Sequence, residues 1–289
     1  MKGKDIDSLK EYLSKGKSLK VCIIDNNSIE FLTRMYDSIS PEKIFCQYDI
    51  IFIPKWVWVE VCDSEKRKNY IYNLKHFLKV QIIDEVDYAA LMDYKEAALY
   101  YIFLYSCNNV SRLVGFIKRN ILQGRPVEDL APYGDWLDII YNEGLDKREL
   151  ANGRIQRKNA GEISICVLSY IFSYFYSENI DTITIFSSDR DAYDFVSKAK
   201  EMLYKHEYFK HRRSTSMTFK SNDFLIYEWT RFGYIKRDNI DSFVNSYRQA
   251  RRIKFTRKKQ DNSIEEQERV IDNIAFLDML EDDTLHLIF

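Results

Sequence analysis

The sequence predicts an α/β fold, a three-layer sandwich around a central, mostly parallel sheet, and three observations carry that prediction. Compact apolar runs that read as strands recur at 19–24, 48–53, 79–84 and 182–186. Segments with helical spacing separate them, and parallel neighbours need crossover connections of that kind. A chain of 289 residues that is 46% hydrophobic, with only 9 Gly and 4 Pro, has the apolar surface for a large core, which excludes wholesale disorder.

The elements follow in order. Ile6, Leu9 and Leu13 stand at helical spacing and predict a leading helix over 5–15. Leu19 to Ile24 is a buried strand that ends abruptly in Asp25-Asn-Asn-Ser28. The apolar positions from Ile29 to Ile39 have helical period and stop before Pro41. Tyr48 to Ile53 forms a second strand closed by Pro54, and Trp56 to Cys62 restarts as helix with that proline near its start. Lys79 to Asp84 is a third strand. Tyr88 to Ser106 and Val110 to Leu122 are helical, and a polar, glycine-containing section runs from Gln123 to Gly153. A helix beginning near Asn159 carries Glu162 in its first turn, and the strand Thr182–Phe186 ends in Ser187-Ser-Asp-Arg-Asp191. Ser216 to Phe219 and a helix from Asn222 to Phe232 close the domain near Gly233. Beyond Tyr234 the basic cluster at 248–259 precedes a helix-like acidic and apolar tail from Ile264 to Phe289. The expected organisation is a leading helix (1–17), an α/β domain (18–235) with a helical insertion at 88–153, and an extension (236–289).

Lys+Arg 43 against Asp+Glu 44 leaves a formal net charge of -1, so attraction to phosphate must come from local patches. The five cysteines are scattered and never form a C-x-x-C pair, which argues against zinc and a disulfide framework. The four histidines have no metal or triad spacing. No secretory h-region opens the chain and no apolar run reaches the ~18 residues of a membrane span, so the expectation is a cytoplasmic protein without a membrane partner.

In an open parallel sheet, ligands sit outside the carboxyl ends of the strands. Asp25 follows the first strand and Asp189 and Asp191 follow the fourth, while Glu60 and Glu162 lie in the opening turns of helices that start at the same rim. Each acid has an ordinary alternative: a turn residue at Asp25, a helix-dipole contact at Glu162, caps at Asp189 and Asp191. Glu60, between Val59 and Val61, is costly to bury idle. Together the carboxylates would repel one another unless a cation neutralised them. Hard oxygen ligands favour Mg²⁺ or Mn²⁺, and phosphodiester hydrolysis is the chemistry that fits. The basic loop Arg154, Arg157 and Lys158, with Arg190 inside the acidic turn, supplies candidate contacts to a nucleic-acid backbone, a solvated loop being the alternative for the first three. The cluster at 248–259, with Tyr247 and Phe255 interleaved, reads as an exposed helix or as a track for a single strand.

These motifs, in this order, resemble a PIN-domain (PilT N-terminus) nuclease over roughly residues 18 to 235. Val21-Cys-Ile-Ile-Asp-Asn-Asn27 is similar to the family's opening strand and Asp. Ile53-Pro-Lys-Trp-Val-Trp-Val-Glu60 resembles its second acidic segment, Asn159-Ala-Gly-Glu162 stands at the third acid, and Ser187-Ser-Asp-Arg-Asp191 resembles its Ser/Thr-x-Asp-x-Asp turn. Phe219 to Leu225 resembles its closing strand and helix. The resemblance implies metal ligation by Asp25, Glu60, Glu162 and Asp189, with Asp191 an auxiliary acid and Asn27 and Ser187 orienting ligands or water. It implies an endoribonuclease on single-stranded RNA, with DNA as an alternative, and a toxin or defence setting. An antitoxin or other protein docked on the tail, or a second copy of the chain, would be the partner. Three positions depart from the pattern: Asn26 for Ser or Thr, Glu162 for Asp, and Ala192 for an aromatic residue. The rival readings are a scaffold that keeps the fold without cleavage, and a phosphotransfer enzyme with an Asp-x-Asp similar to that of topoisomerase-primase domains, which open with Glu rather than Asp.

Overall fold

The computed structural model describes residues 3–149 and 153–288; Met1 and Lys2 of the expected leading segment, 150–152 of the insertion and Phe289 of the tail lie outside the described residues. In chain order the first half contains α1 (Gly3–Lys15), β1 (Leu19–Ile24), α2 (Asn26–Arg34), α3 (Pro41–Phe45), β2 (Ile50–Pro54), α4 (Lys55–Val61), α5 (Glu65–Leu74), β3 (Val80–Ile83), α6 (Tyr88–Leu91), α7 (Glu96–Ser106), α8 (Ser111–Phe116) and α9 (Tyr133–Ile139). The second half contains β4 (Lys147–Glu149), β5 (Ile155–Arg157), α10 (Ala160–Phe175), β6 (Ile180–Phe186), α11 (Arg190–Lys205), β7 (Ser216–Lys220), α12 (Asn222–Arg231), α13 (Ile240–Tyr247), β8 (Arg251–Lys258), β9 (Ile264–Ile271), α14 (Asn273–Glu281) and β10 (Leu285–Leu287).

The central sheet has the order β3-β2-β1-β6-β7, and every pairing in it is parallel. Helices flank it to give the three-layer α/β sandwich. β1 lies at the centre with both faces covered, which is why Val21 to Ile24 is a continuous apolar run instead of an alternating one. α10 packs across β2, β6 and β7, with α7 and α11 against it. Its buried face extends almost all round, from Ile163 through Tyr174. The order turns back between β1 and β6, so the carboxyl ends of these two strands are adjacent, and the Asp25 N–H donates to the Phe186 carbonyl at 2.9 Å. This is the topological switch point of the sheet, where a crevice forms because the connections leave in opposite directions.

The expected helix over 88–106 is broken. Asp93 and Tyr94 both have left-handed φ, 52° and 55°, which no α-helix accommodates, and the chain restarts as α7. The section from Gln123 onward holds α9 and the small β4–β5 hairpin, which leads directly into α10.

The largest correction concerns the C-terminal segment. The basic run expected as an exposed helix forms β8 and the start of the helix-like tail forms β9, an antiparallel hairpin extended by β10 in the order β10-β8-β9, while the tail is helical over α14, between β9 and β10. Opposite charges placed across the strands account for it: Lys254 pairs with Glu266 at 2.7 Å and Lys259 with Glu265 at 3.3 Å. Ile253, Phe255, Ile271 and Phe276 are buried and belong to the same hydrophobic core as β1 and α1. Among the described residues no helix is long and apolar enough to cross a membrane.

Candidate functional site

Asp25 caps α2: its backbone is extended (φ −84°, ψ 157°) and Oδ1 accepts from the Asn26 N–H at 2.7 Å. Its other oxygen accepts from the Ser187 hydroxyl at 2.9 Å, and the same hydroxyl oxygen accepts from the Asp189 N–H at 3.1 Å. One serine therefore ties together two acids that lie at the ends of neighbouring strands. Asp189 caps α11 in the same manner, accepting from the Asp191 N–H at 2.9 Å.

Glu60 and Glu162 reach this rim from α4 and α10. A Cβ on Gly161 would sit 3.9 Å from Glu60 Oε1 and 3.3 Å from Val57 Cγ2, so α10 begins directly against the α4 carboxylate. Electrostatics records the convergence. Burial pushes the Asp25 carboxyl up to about 7; Ser187 and the Asn26 N–H restrain the rise, and Glu60 and Asp189 add to it. Burial likewise pushes Glu162 up to about 8, with Asp25, Asp189 and Glu60 adding repulsion. Glu60 is raised by burial, against hydrogen bonds from Gln156 and Asn26 and the charge of Arg67. Four carboxyl groups from four separate segments thus act on one another at the switch point.

The remaining candidates are distributed around them. Asp191 is exposed in the first turn of α11. Asn27 is exposed and lines a cavity beside the acids. Arg154 is ion-paired to Asp63 and Arg190 to Glu268, while the Arg157 guanidinium lies over the Tyr141 ring at 5.3 Å. Lys158 is exposed. The chain matches no family model, no curated protein and no solved structure.

Several contributors were not legible in the sequence. Arg67 donates to Asn26 Oδ1 at 2.7 Å and also faces Glu30, so Asn26 joins an arginine to Glu60. Gln156, on the β4–β5 hairpin, also hydrogen-bonds Glu60. Glu85 is the least expected: it is 1% exposed, accepts from the Trp56 N–H at 3.0 Å and the Ser164 hydroxyl at 2.6 Å, and leaves Oε2 without a partner. Burial pushes it up to about 8, so it is a neutral acid near pH 7 beneath α4 and α10.

In kind, the donors suit a hard divalent cation, since all are carboxylate oxygens. Among the described residues, however, no three His, Cys, Asp or Glu side chains stand close enough to hold a metal as a closed group. A cation of the Mg²⁺ or Mn²⁺ type keeps several waters and takes only one or two carboxylates together with substrate phosphate, so it does not require a closed group.

Proposed function

We propose that the chain is a metal-dependent endoribonuclease of the PIN-domain kind. Mg²⁺ or Mn²⁺ would be held among Asp25, Glu60, Glu162 and Asp189, one or two carboxylates to an ion with water completing its shell, and phosphodiester bonds would be hydrolysed without a side-chain nucleophile. The observation that carries the reading is that Ser187 ties Asp25 to Asp189 at the switch point between β1 and β6, with α10 opening against the Glu60 carboxylate and Glu162 in its first turn. A bound divalent cation would supply a water of lowered pKa and would offset charge on the leaving oxygen. The protein's own part is positioning. Ser187 fixes Asp25 by a hydrogen bond to Oδ2, and Gln156 and Asn26 both hydrogen-bond Glu60. Asp191, at the exposed entrance to α11, takes the auxiliary role. Arg154, Arg157, Lys158 and Arg190 are the proposed contacts to the backbone. The same reading extends to single-stranded DNA as an alternative substrate, to a cytoplasmic toxin or defence setting, and to an antitoxin or a second copy as partner.

The open spacing of the acids favours one second reading, a nucleic-acid-binding protein that does not cut. Purified protein with end-labelled RNA or DNA separates the two. Cleavage is expected with Mn²⁺, none in EDTA, and none above the EDTA level in Asp25→Asn or Glu162→Gln. Cleavage that survives either substitution refutes the proposed site, and binding without cleavage in the parent supports the second reading.

A further inference from the structure

A cavity of about 600 Å³ is lined in part by Asn27, two residues after Asp25, and by Ser188, next to Asp189. β8 contributes Arg251, Arg252 and Lys254 to the same lining, and α11 contributes Arg190 and Tyr193. Six basic and three acidic side chains line it, in a chain whose formal net charge is -1. The wall is fixed in place from below. Arg248, fully enclosed, donates to Asp223 at 3.2 Å and to the Ile271 carbonyl at 2.9 Å, while Arg251 donates to the Ser188 carbonyl at 2.7 Å.

Cations interleaved with the rings of Tyr193 and Tyr247 fit a polynucleotide backbone with stacked bases. The volume is that of a small-ligand site, room for about one or two nucleotides of a single strand and not for a duplex. Glu268 of β9 reaches into the same cavity. It pairs with Arg190, whose side chain is otherwise half exposed, and lies 3.8 Å from Arg252, so one carboxylate bridges the acidic turn and the hairpin. A backbone phosphate bound there would meet the same two guanidinium groups, and Arg is the side chain that suits that exchange.

We propose that the β8–β9 hairpin is the second wall of a channel for single-stranded nucleic acid leading to the acids, and that Glu268 is a built-in anion holding Arg190 and Arg252 until a phosphate displaces it. The inference deepens the nuclease reading and rests on it only for where the scissile bond would lie.

The test uses the full-length Asp25→Asn protein in EDTA, so that nothing is cut, with labelled ten-nucleotide single-stranded RNA and DNA followed by fluorescence anisotropy from 50 to 200 mM salt. Arg252→Gln with Lys254→Gln is expected to weaken binding about tenfold at low salt and to flatten the slope of log K against log salt by about 1.4, two contacts at about 0.7 each. Glu268→Gln, which keeps the shape and removes the charge, is expected to strengthen binding several-fold. These changes in either strand support the channel, and the strand that shows them identifies the sugar. Binding of neither strand, or parental affinity in both variants, overturns it. A parent that cuts RNA while both variants bind like it loses the channel and keeps the nuclease. A chain that never cuts but shows the expected binding changes loses the nuclease and keeps the channel.

Discussion

Replacing Glu85 with glutamine isolates the contribution of a single buried acid. The folded-state value of about 8 lies above the ordinary 4.5, because burial disfavours the carboxylate. The native state therefore binds a proton that the unfolded chain gives up between about pH 4.5 and 8, and stability from this group is complete below that window and lost as pH rises through it. At about 1.4 kcal/mol per unit, the 3.5-unit gap amounts to roughly 5 kcal/mol in all. Glutamine keeps Oε1 in place for the Trp56 N–H and the Ser164 hydroxyl and cannot ionise. Relative to wild type, the variant should gain roughly 2–3 kcal/mol between pH 5.5 and pH 7.5. Urea unfolding at the two pH values would show this as a relative shift of the midpoint by about 1 M. A stability difference that does not change with pH would refute the argument that Glu85 folds as a neutral acid.

The other predictions concern the site and its support. Arg248→Ala leaves Asp223 buried without its main partner and should cost about 3–5 kcal/mol in urea unfolding, as breaking a buried pair does; a loss under 1 kcal/mol would show that Arg251 alone suffices. Ser187→Ala removes the hydrogen bond that orients Asp25 and should lower Mn²⁺-dependent cleavage by about 10–100-fold with little change in melting temperature; unchanged cleavage would deny it that role. Mn²⁺ at about a hundred times its dissociation constant should stabilise the wild type by about 2.7 kcal/mol, several degrees in a melt, and should do much less in Glu162→Gln. An equal shift in both proteins would place the metal elsewhere.

The central sheet was legible because its strands are buried on both faces. Val21 to Ile24 is an uninterrupted apolar stretch and Ile183 to Phe186 an uninterrupted buried one, and each stops at a polar turn, so strand and site announce themselves together. Asp25 and Asp189 were visible for that reason. The C-terminal hairpin was not, because its basic and acidic strands look like two unrelated charge runs until Lys254 lies opposite Glu268 and reaches diagonally to Glu266, and Arg257 lies opposite Glu265. A usable signal was nonetheless present: Asp261-Asn262-Ser263 separates two runs of equal length, and Asn262 adopts the left-handed φ of 65° that such a turn requires. Glu85 and Arg67 gave no local signal at all. Their roles depend on Ser164, 79 residues away, and on Asn26, 41 residues away, and no periodicity within α5 or beside β3 encodes those distances.

The reversal of strand order between β1 and β6 also governs when the site comes into being. The Asp25–Ser187 hydrogen bond spans 162 residues, and β1 acquires its second neighbour only when β6 has been made. During synthesis at about 5–20 residues per second, the first acid waits roughly 8–30 seconds for the serine that positions it. Long-range parallel pairing of this kind also folds slowly, since loop closure precedes any reward from contact. A nascent chain is consequently unable to assemble the acidic cluster until most of its length has left the ribosome.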